Sequence, residues 1–189
     1  MKVIAINGSS RKDANTAMII NTVLNELKDN DIETEMIQLA NDFIEPCHAC
    51  FTCSGKEKCS FHKDKFNEIF EKIVQADGIV LGSPVYSADV SSNMKAFIDR
   101  ASVVSDMNPG MFKHKVGASV VACRRGGAIH AIETLNHFFL NKEMYLVGST
   151  YWNMVYGQML GDVFNDEEGI KNMKNIGQNM VYLLKKLNK

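Results

Sequence analysis

The chain has 189 residues, of which 46% are hydrophobic, and carries 21 basic and 22 acidic side chains. This length suits one sizeable core, and the balanced charge argues against a nucleic-acid partner and against a strongly acidic electron carrier. No stretch approaches the ~20 apolar residues of a membrane span or forms a signal-peptide core, so we expect a cytoplasmic protein with no membrane partner.

Short apolar runs alternate with helical patterns along the chain. Lys2–Asn7 is a β-branched run typical of a buried strand, and a helix capped by Asp13 or Asn15 extends to about Asp29. Further strands are predicted at Ile32–Leu39, Ile79–Gly82, Val116–Cys123 and Met144–Ser149. Further helices are predicted from Phe66 to about Asp77, over Asn93–Val104, after Gly127 and from Asp166 to the chain end.

Five strands joined by helical crossovers predict an α/β fold with a five-stranded parallel sheet covered on both faces. Right-handed crossovers make it a doubly wound sandwich. We therefore predict one domain over residues 1–189, with an aperiodic cysteine-rich loop at 41–63. Ligands of such sheets bind beyond the carboxyl ends of the strands, so the loops at 8–16, 83–92 and 123–127 are expected to form one site.

The first of these loops has the composition of a phosphate-binding turn. Gly8 permits a sharp exit from the strand, and the next helix points free N–H groups at the same place. Because GxGxxG and GxxxxGK[ST] are both absent, a monophosphate suits the loop better than a pyrophosphate or triphosphate. An ordinary polar turn with a capping residue is the alternative. The candidate phosphate-binding residues are Ser9, Ser10, Arg11, Asn15 and Thr16.

Three segments together resemble one family. GSSRK at 8–12, with Asn15 and Thr16, resembles the phosphate loop of the NADPH-dependent FMN reductase and iron–sulfur flavoprotein family. GSPVY at 82–86 resembles its flavin-ring loop, and KAFIDR at 95–100 resembles the helix that follows. The resemblance covers essentially the whole chain. It implies a flavodoxin-like fold, FMN as cofactor, NAD(P)H as electron donor and a homodimer or homotetramer.

The second and third loops are candidates for the flavin ring. Pro84 stiffens the turn, Tyr86 offers an aromatic face, and a cation after the fourth strand would stabilise reduced flavin. A rigid surface turn and a solvated basic pair, Arg124 and Arg125, are the alternatives. The aromatic run at 151–157 could close over the ring or pack at an interface. The ring-binding candidates are Pro84, Val85, Tyr86, Ser87, Arg124, Gly126 and Gly127.

Four of the five cysteines fall within thirteen residues, in the pattern C-x2-C-x2-C-x5-C. Four thiolates in so short a loop can hold a [4Fe-4S] cluster, and the spacing resembles the compact motif of iron–sulfur flavoproteins. Free thiols, a zinc site and disulfides stay open as alternatives, and His48 or His62 could replace a ligand. The candidate cluster ligands are Cys47, Cys50, Cys53 and Cys59.

The cysteine loop leaves the second strand at its carboxyl end. We therefore expect a cluster at the same sheet edge as the flavin, in one subunit or across a dimer interface. The fifth cysteine, Cys123, ends the fourth strand and is interpreted as a small buried hydrophobe.

The sequence thus predicts an FMN-dependent oxidoreductase that passes electrons through the flavin to a small acceptor. No side chain is assigned as a catalytic acid or nucleophile, because the chemistry belongs to the flavin. One alternative is an electron carrier that takes electrons from a ferredoxin-like partner through the cluster, without NAD(P)H activity. The other is a scaffold that keeps the fold and has lost FMN.

Overall fold

The structure, a computed structural model, describes residues 1–40, 42–61 and 63–188. Its strands are β1 Lys2–Asn7, β2 Glu33–Gln38, β3 Gly78–Pro84, β4 Val116–Cys123, β5 Tyr145–Leu146 and β6 Met154–Tyr156. They form a sheet of the order β2-β1-β3-β4-β5 with parallel neighbours, and β6 also pairs with β4. The predicted five-stranded parallel sheet is confirmed, with one short strand in addition.

Helices cover both faces of the sheet, which confirms the doubly wound sandwich. The helices are α1 Asn15–Lys28, α2 Phe66–Gln75, α3 Ser92–Asp106, α4 Ala128–Asn141 and α5 Glu167–Leu187, with a 3-10 turn at Asp162–Asn165. One apolar cluster joins the sheet to α2, α3 and α4, and the other joins it to α1 and α5. None of the described helices is both long and apolar enough to cross a membrane.

The predicted fifth strand at Met144–Ser149 is wrong in extent. Only Tyr145–Leu146 pairs with β4, and the chain leaves the sheet after Val147, whose N–H bonds the carbonyl of Gly117. It returns as β6 beside the last three residues of β4. The residues just after Val147 are GST, which offer no apolar side chain to bury, so the edge of β4 is filled by two short pieces instead of one strand.

Candidate functional site

A cavity of about 380 Å³ opens at the carboxyl ends of β1, β3 and β4. The loops after these strands meet there as expected, joined by the segment after β6. Its lining takes in eight of the twelve candidate cofactor residues: Ser9, Arg11, Asn15, Thr16, Pro84, Val85, Tyr86 and Arg124. Ser10, Ser87, Gly126 and Gly127 lie outside that lining. Sequence reasoning missed Lys12, Gln158 and Leu160 as lining residues.

The start of α1 lies at this cavity and has no side-chain cap. Ala14 is its N-cap and offers no side-chain acceptor, and the first turn has no acidic residue. The N–H groups of this turn, which no side chain caps, therefore lie at the cavity beside the cations of Arg11 and Lys12. The prediction that Asp13 or Asn15 caps the helix is wrong, and the uncapped end fits a phosphate group.

The side-chain amide of Asn15 is hydrogen-bonded to the segment after β6. Its Nδ2 donates to the carbonyl of Met159 at 2.8 Å, and its Oδ1 accepts from the N–H of Gly161 at 2.9 Å. This explains why Asn15 does not cap its own helix. Its side chain anchors the segment after β6 at the cavity, and it is this segment that adds Gln158 and Leu160 to the lining.

The phosphate loop is fixed by a small hydrogen-bond network. Ser9 donates its N–H to Asn7 Oδ1 at 3.0 Å, and its Oγ accepts from the N–H of Arg11 at 3.1 Å. Ser91, the N-cap of α3, donates its hydroxyl to the carbonyl of Gly8 at 2.6 Å. A Cβ on Gly8 would lie only 2.8 Å from Met94 Cβ, so glycine is required for this close approach.

The loop after β3 presents Tyr86 at the rim of the cavity. Tyr86 and Asp89 exchange two backbone hydrogen bonds, of 2.8 and 3.1 Å, across a tight turn. The two central residues, Ser87 and Ala88, both have positive φ, at 49° and 65°. This is the geometry of a type I′ turn, which costs strain in residues other than Gly, Asn and Asp, and such strain concentrates at functional sites.

Gly127 packs directly against this turn. Its φ is +87°, and a Cβ there would lie 2.8 Å from Ala88 Cα and 3.0 Å from Val85 Cγ1. The glycine thus lets the loop after β4 pack directly under the loop after β3, although it does not line the cavity itself.

We expect Gly127→Ala to lower the free energy of unfolding of the flavin-free protein by about 2 kcal/mol, because the left-handed conformation and the backbone contact both oppose a methyl group. Urea unfolding measures this change. Gly126→Ala is the matched control, since no described atom lies within 4 Å of a Cβ there, and a change within about 0.5 kcal/mol is expected. Equal loss in both variants would contradict the packing argument.

The four clustered cysteines line a second, small cavity of about 30 Å³ together with Arg100 and Val104. Burial raises the pKa of the Cys53 thiol, and the charges of the other three cysteines raise it further. A hydrogen bond from Thr52 lowers the pKa of the Cys50 thiol. Among the described residues no three His, Cys, Asp or Glu side chains converge on one metal ion. In a [4Fe-4S] cluster each thiolate binds a different iron, so the cluster needs four thiols around one cavity, and this donor set matches that need in number and type.

The backbone of the cysteine loop is strained and aims an N–H group at sulfur. Ala49, Phe51 and Glu57 have positive φ, between 50° and 55°, although none is glycine. In this conformation the N–H of Ala49 points to Cys47 Sγ at 3.5 Å. Left-handed residues of this kind bring N–H groups into concave positions that favour anions, and a thiolate or an anionic cluster benefits from them.

The cysteine cavity does not lie at the flavin edge of the sheet, contrary to prediction. The loop runs along α3, and its neighbours Arg100 and Val104 come eight and twelve residues after Ser92. At 1.5 Å per helical residue the cavity is therefore ~12–18 Å along α3 from the helix start. The helix runs back from the flavin edge. The prediction placed the cavity at that edge because the loop leaves β2 there, but the loop continues along α3.

Other candidate residues from the sequence are two histidines, the fifth cysteine and the aromatic run at 151–157. His48 lines the cysteine cavity and lies 5.6 Å from the ring of Phe61, centre to centre. His62 lies outside the described residues. Cys123 is confirmed as a buried residue, and burial raises the pKa of its thiol to about 11. Tyr151 and Trp152, from the aromatic run, are both 56% exposed and line a different cavity beside α4.

An open parallel sheet with a phosphate-type loop after β1 and a rigid aromatic turn after β3 defines a flavodoxin-like nucleotide-binding protein. The fold is shared with a RosB structure (TM-score 0.80, 17% identity, covering 100% of this chain and 80% of that one). It is also shared with an archaeal flavodoxin (TM-score 0.63, 14% identity, covering 98% and 99%).

The family model for NADPH-dependent FMN reductase matches residues 1–158. An iron–sulfur flavoprotein of Methanocaldococcus jannaschii is 36% identical over all of both chains, and one of Methanosarcina thermophila is 35% identical over 78% of each. The chain belongs to the NADPH-dependent FMN reductase and iron–sulfur flavoprotein family. It is an FMN-dependent flavoprotein oxidoreductase.

Proposed function

We propose that this chain is an electron-transferring flavoprotein with FMN in the 380 Å³ cavity and a [4Fe-4S] cluster on Cys47, Cys50, Cys53 and Cys59. The observation that carries the proposal is that all four cysteines line one small cavity, with an N–H group directed at the sulfur of Cys47. Relatives that carry the name iron–sulfur flavoprotein support it.

The protein contributes position and electrostatics to the flavin, whose ring supplies the redox chemistry when it is bound. We assign the phosphate to the free N–H groups of α1, with Ser9, Arg11 and Thr16 around it. Pro84, Val85 and Tyr86 would form the slot for the ring, and Arg124 would place a cation near it. Ser10, Ser87, Gly126 and Gly127 would act through the backbone shape of the same loops.

The position of the cysteine cavity favours electron exchange with a second molecule. It lies far along α3 from the start of the helix, and it is close to the surface, where Cys50 and Phe51 are exposed. A second copy in a homodimer or homotetramer, or a ferredoxin-like protein, could approach the cluster from this side. We propose a ferredoxin-like donor and a small acceptor such as free flavin or a quinone.

Reduction of the anaerobically purified full chain tests this donor. We expect the flavin absorbance to bleach quickly with reduced ferredoxin, and steady turnover with NADPH or NADH to be absent. An NAD(P)H-dependent flavin reductase is the second candidate, since the matching family model describes NADPH-dependent enzymes. Steady NADPH turnover that is unaffected by loss of the cysteines would favour this reductase over the proposed flavoprotein with a ferredoxin-like donor.

A further inference from the structure

The cysteine loop is fastened by side chains that lie outside it. Asn67 of α2 accepts from the N–H of Cys59 and donates to its carbonyl, both at 2.9 Å. Asn108, just past α3, donates to the carbonyl of Cys53 at 3.0 Å. The third of these side chains, Arg100 of α3, is the one that reaches both ends of the loop.

Arg100 bonds the backbone near both ends of the cysteine loop. Its Nη1 donates to the carbonyl of Glu45 and its Nη2 to the carbonyl of Phe61, each at 3.2 Å. Glu45 comes two residues before Cys47, and Phe61 comes two residues after Cys59. One guanidinium group therefore joins the two ends of the segment that contains all four cysteines.

The charge of Arg100 is buried against the cysteine cavity. Its side chain is 1% exposed, lines that cavity and lies with its Cζ 4.1 Å from the ring centre of Phe66. Asp64 pairs with it at 2.5 Å and also accepts the N–H of Glu45 at 2.9 Å, so the carboxylate strengthens the same closure.

Stability alone does not account for this arrangement. A buried ion pair is often no more stabilising than apolar side chains of similar volume, because both charges lose their hydration. The planar fork of arginine, in contrast, can bond two carbonyls and a carboxylate together, which the single ammonium of lysine cannot do in the same geometry.

We propose that Arg100 is a positioning residue of the cysteine site, which closes the 45–61 segment around the four thiols and places a positive charge beside the cluster. The closure can be observed in iron-free protein. The effect of the charge rests on the cluster of the proposed function.

The first test measures amide hydrogen exchange of residues 45–61 in the full, FMN-loaded, iron-free chain. We expect Arg100→Lys and Arg100→Gln to speed exchange at least ~10-fold, because the segment loses its closure. Lys142→Gln is the matched control. Lys142 is a buried cation of the α4 C-cap that bonds Asp106 and the carbonyl of Ser102 without lining the cysteine cavity. Its loss should leave this exchange near wild type.

The second test measures the reduction potential of the iron–sulfur cluster after anaerobic reconstitution. Removing a cation beside the cluster disfavours the added electron, so Arg100→Gln is expected to lower the potential and Asp64→Asn to raise it. Arg100→Lys keeps the charge, and we expect less iron per chain but a potential close to wild type. A purely structural role would not separate lysine from glutamine in this way.

Wild-type exchange rates in both Arg100 variants, or equal loosening by Lys142→Gln, would overturn the closure. Equal potentials in wild type, Arg100→Gln and Asp64→Asn would overturn the electrostatic role. A wild-type chain that takes up no iron on reconstitution would refute the proposed cluster and with it the role of the charge, whereas the exchange experiment would still decide the closure.

Discussion

Cys53→Ala is expected to reduce the iron and sulfide bound per chain at least ~10-fold after anaerobic reconstitution, while the FMN content stays at the wild-type level. Cys53 is the most buried of the four cavity cysteines, and a cubane bound by three protein thiolates has lost one of its four iron anchors. The flavin cavity has a lining of its own, which contains none of these cysteines. Colorimetric iron and sulfide assays, with flavin released by denaturation, measure the result.

Cys123→Ala is the matched truncation for this experiment. Cys123 is equally a buried cysteine, but it ends β4 and lies outside the cysteine cavity. We expect this variant to keep its iron. Full iron in Cys53→Ala would contradict the ligand assignment, and equal iron loss in the two variants would indicate general destabilisation.

Arg11→Gln is expected to raise the dissociation constant for FMN about 10- to 100-fold, which corresponds to the loss of one charge-assisted hydrogen bond to the phosphate. Arg11 is an exposed cation at the uncapped start of α1, where the N–H groups of the first turn supply the other donors. Fluorescence quenching of FMN by the flavin-free chain measures the constant.

Riboflavin provides the internal control, because it has the same ring and no phosphate. Its affinity should be nearly unchanged by Arg11→Gln, so the preference for FMN over riboflavin should fall by the same factor. Lys174→Gln removes an exposed cation of α5 and should alter neither affinity. An equal loss for both flavins would place Arg11 at the ring and contradict the phosphate assignment.

The parts of the fold that follow from local pattern could be predicted. Lys2–Asn7 is a β-branched run and Val116–Cys123 is mostly apolar, and the structure has β1 and β4 with the same bounds. The meeting of the loops after β1, β3 and β4 follows from parallel topology, which requires only the number and type of elements.

The parts that depend on tertiary contacts could not be predicted. Asn15 is a good capping residue by type, but its amide is bound by a segment almost 150 residues later in the chain. The fifth strand is split in two because pairing with β4 depends on which side chains can be buried beside it. Arg100 lies in the KAFIDR segment at 95–100, yet its bonds to Glu45 and Phe61 join residues far apart in sequence, and no local pattern signals them.

The position of the cysteines shows the same limit. Their spacing indicates a shared site, and the structure gathers them at one cavity. The direction that the 23-residue aperiodic loop at 41–63 takes from the end of β2 is set by its contacts with α2 and α3, such as those of Asn67 and Asn108. That direction carries the cavity away from the flavin edge.

Analysis of flavin, iron and acid-labile sulfide in the full chain after anaerobic purification, with its absorption spectrum, tests the account most directly. We predict about one FMN, four iron and four sulfide per chain, with flavin bands over the broad absorbance of a [4Fe-4S] cluster. Flavin bands without iron or sulfide would contradict the cluster, and a chain that binds no flavin would contradict the central claim.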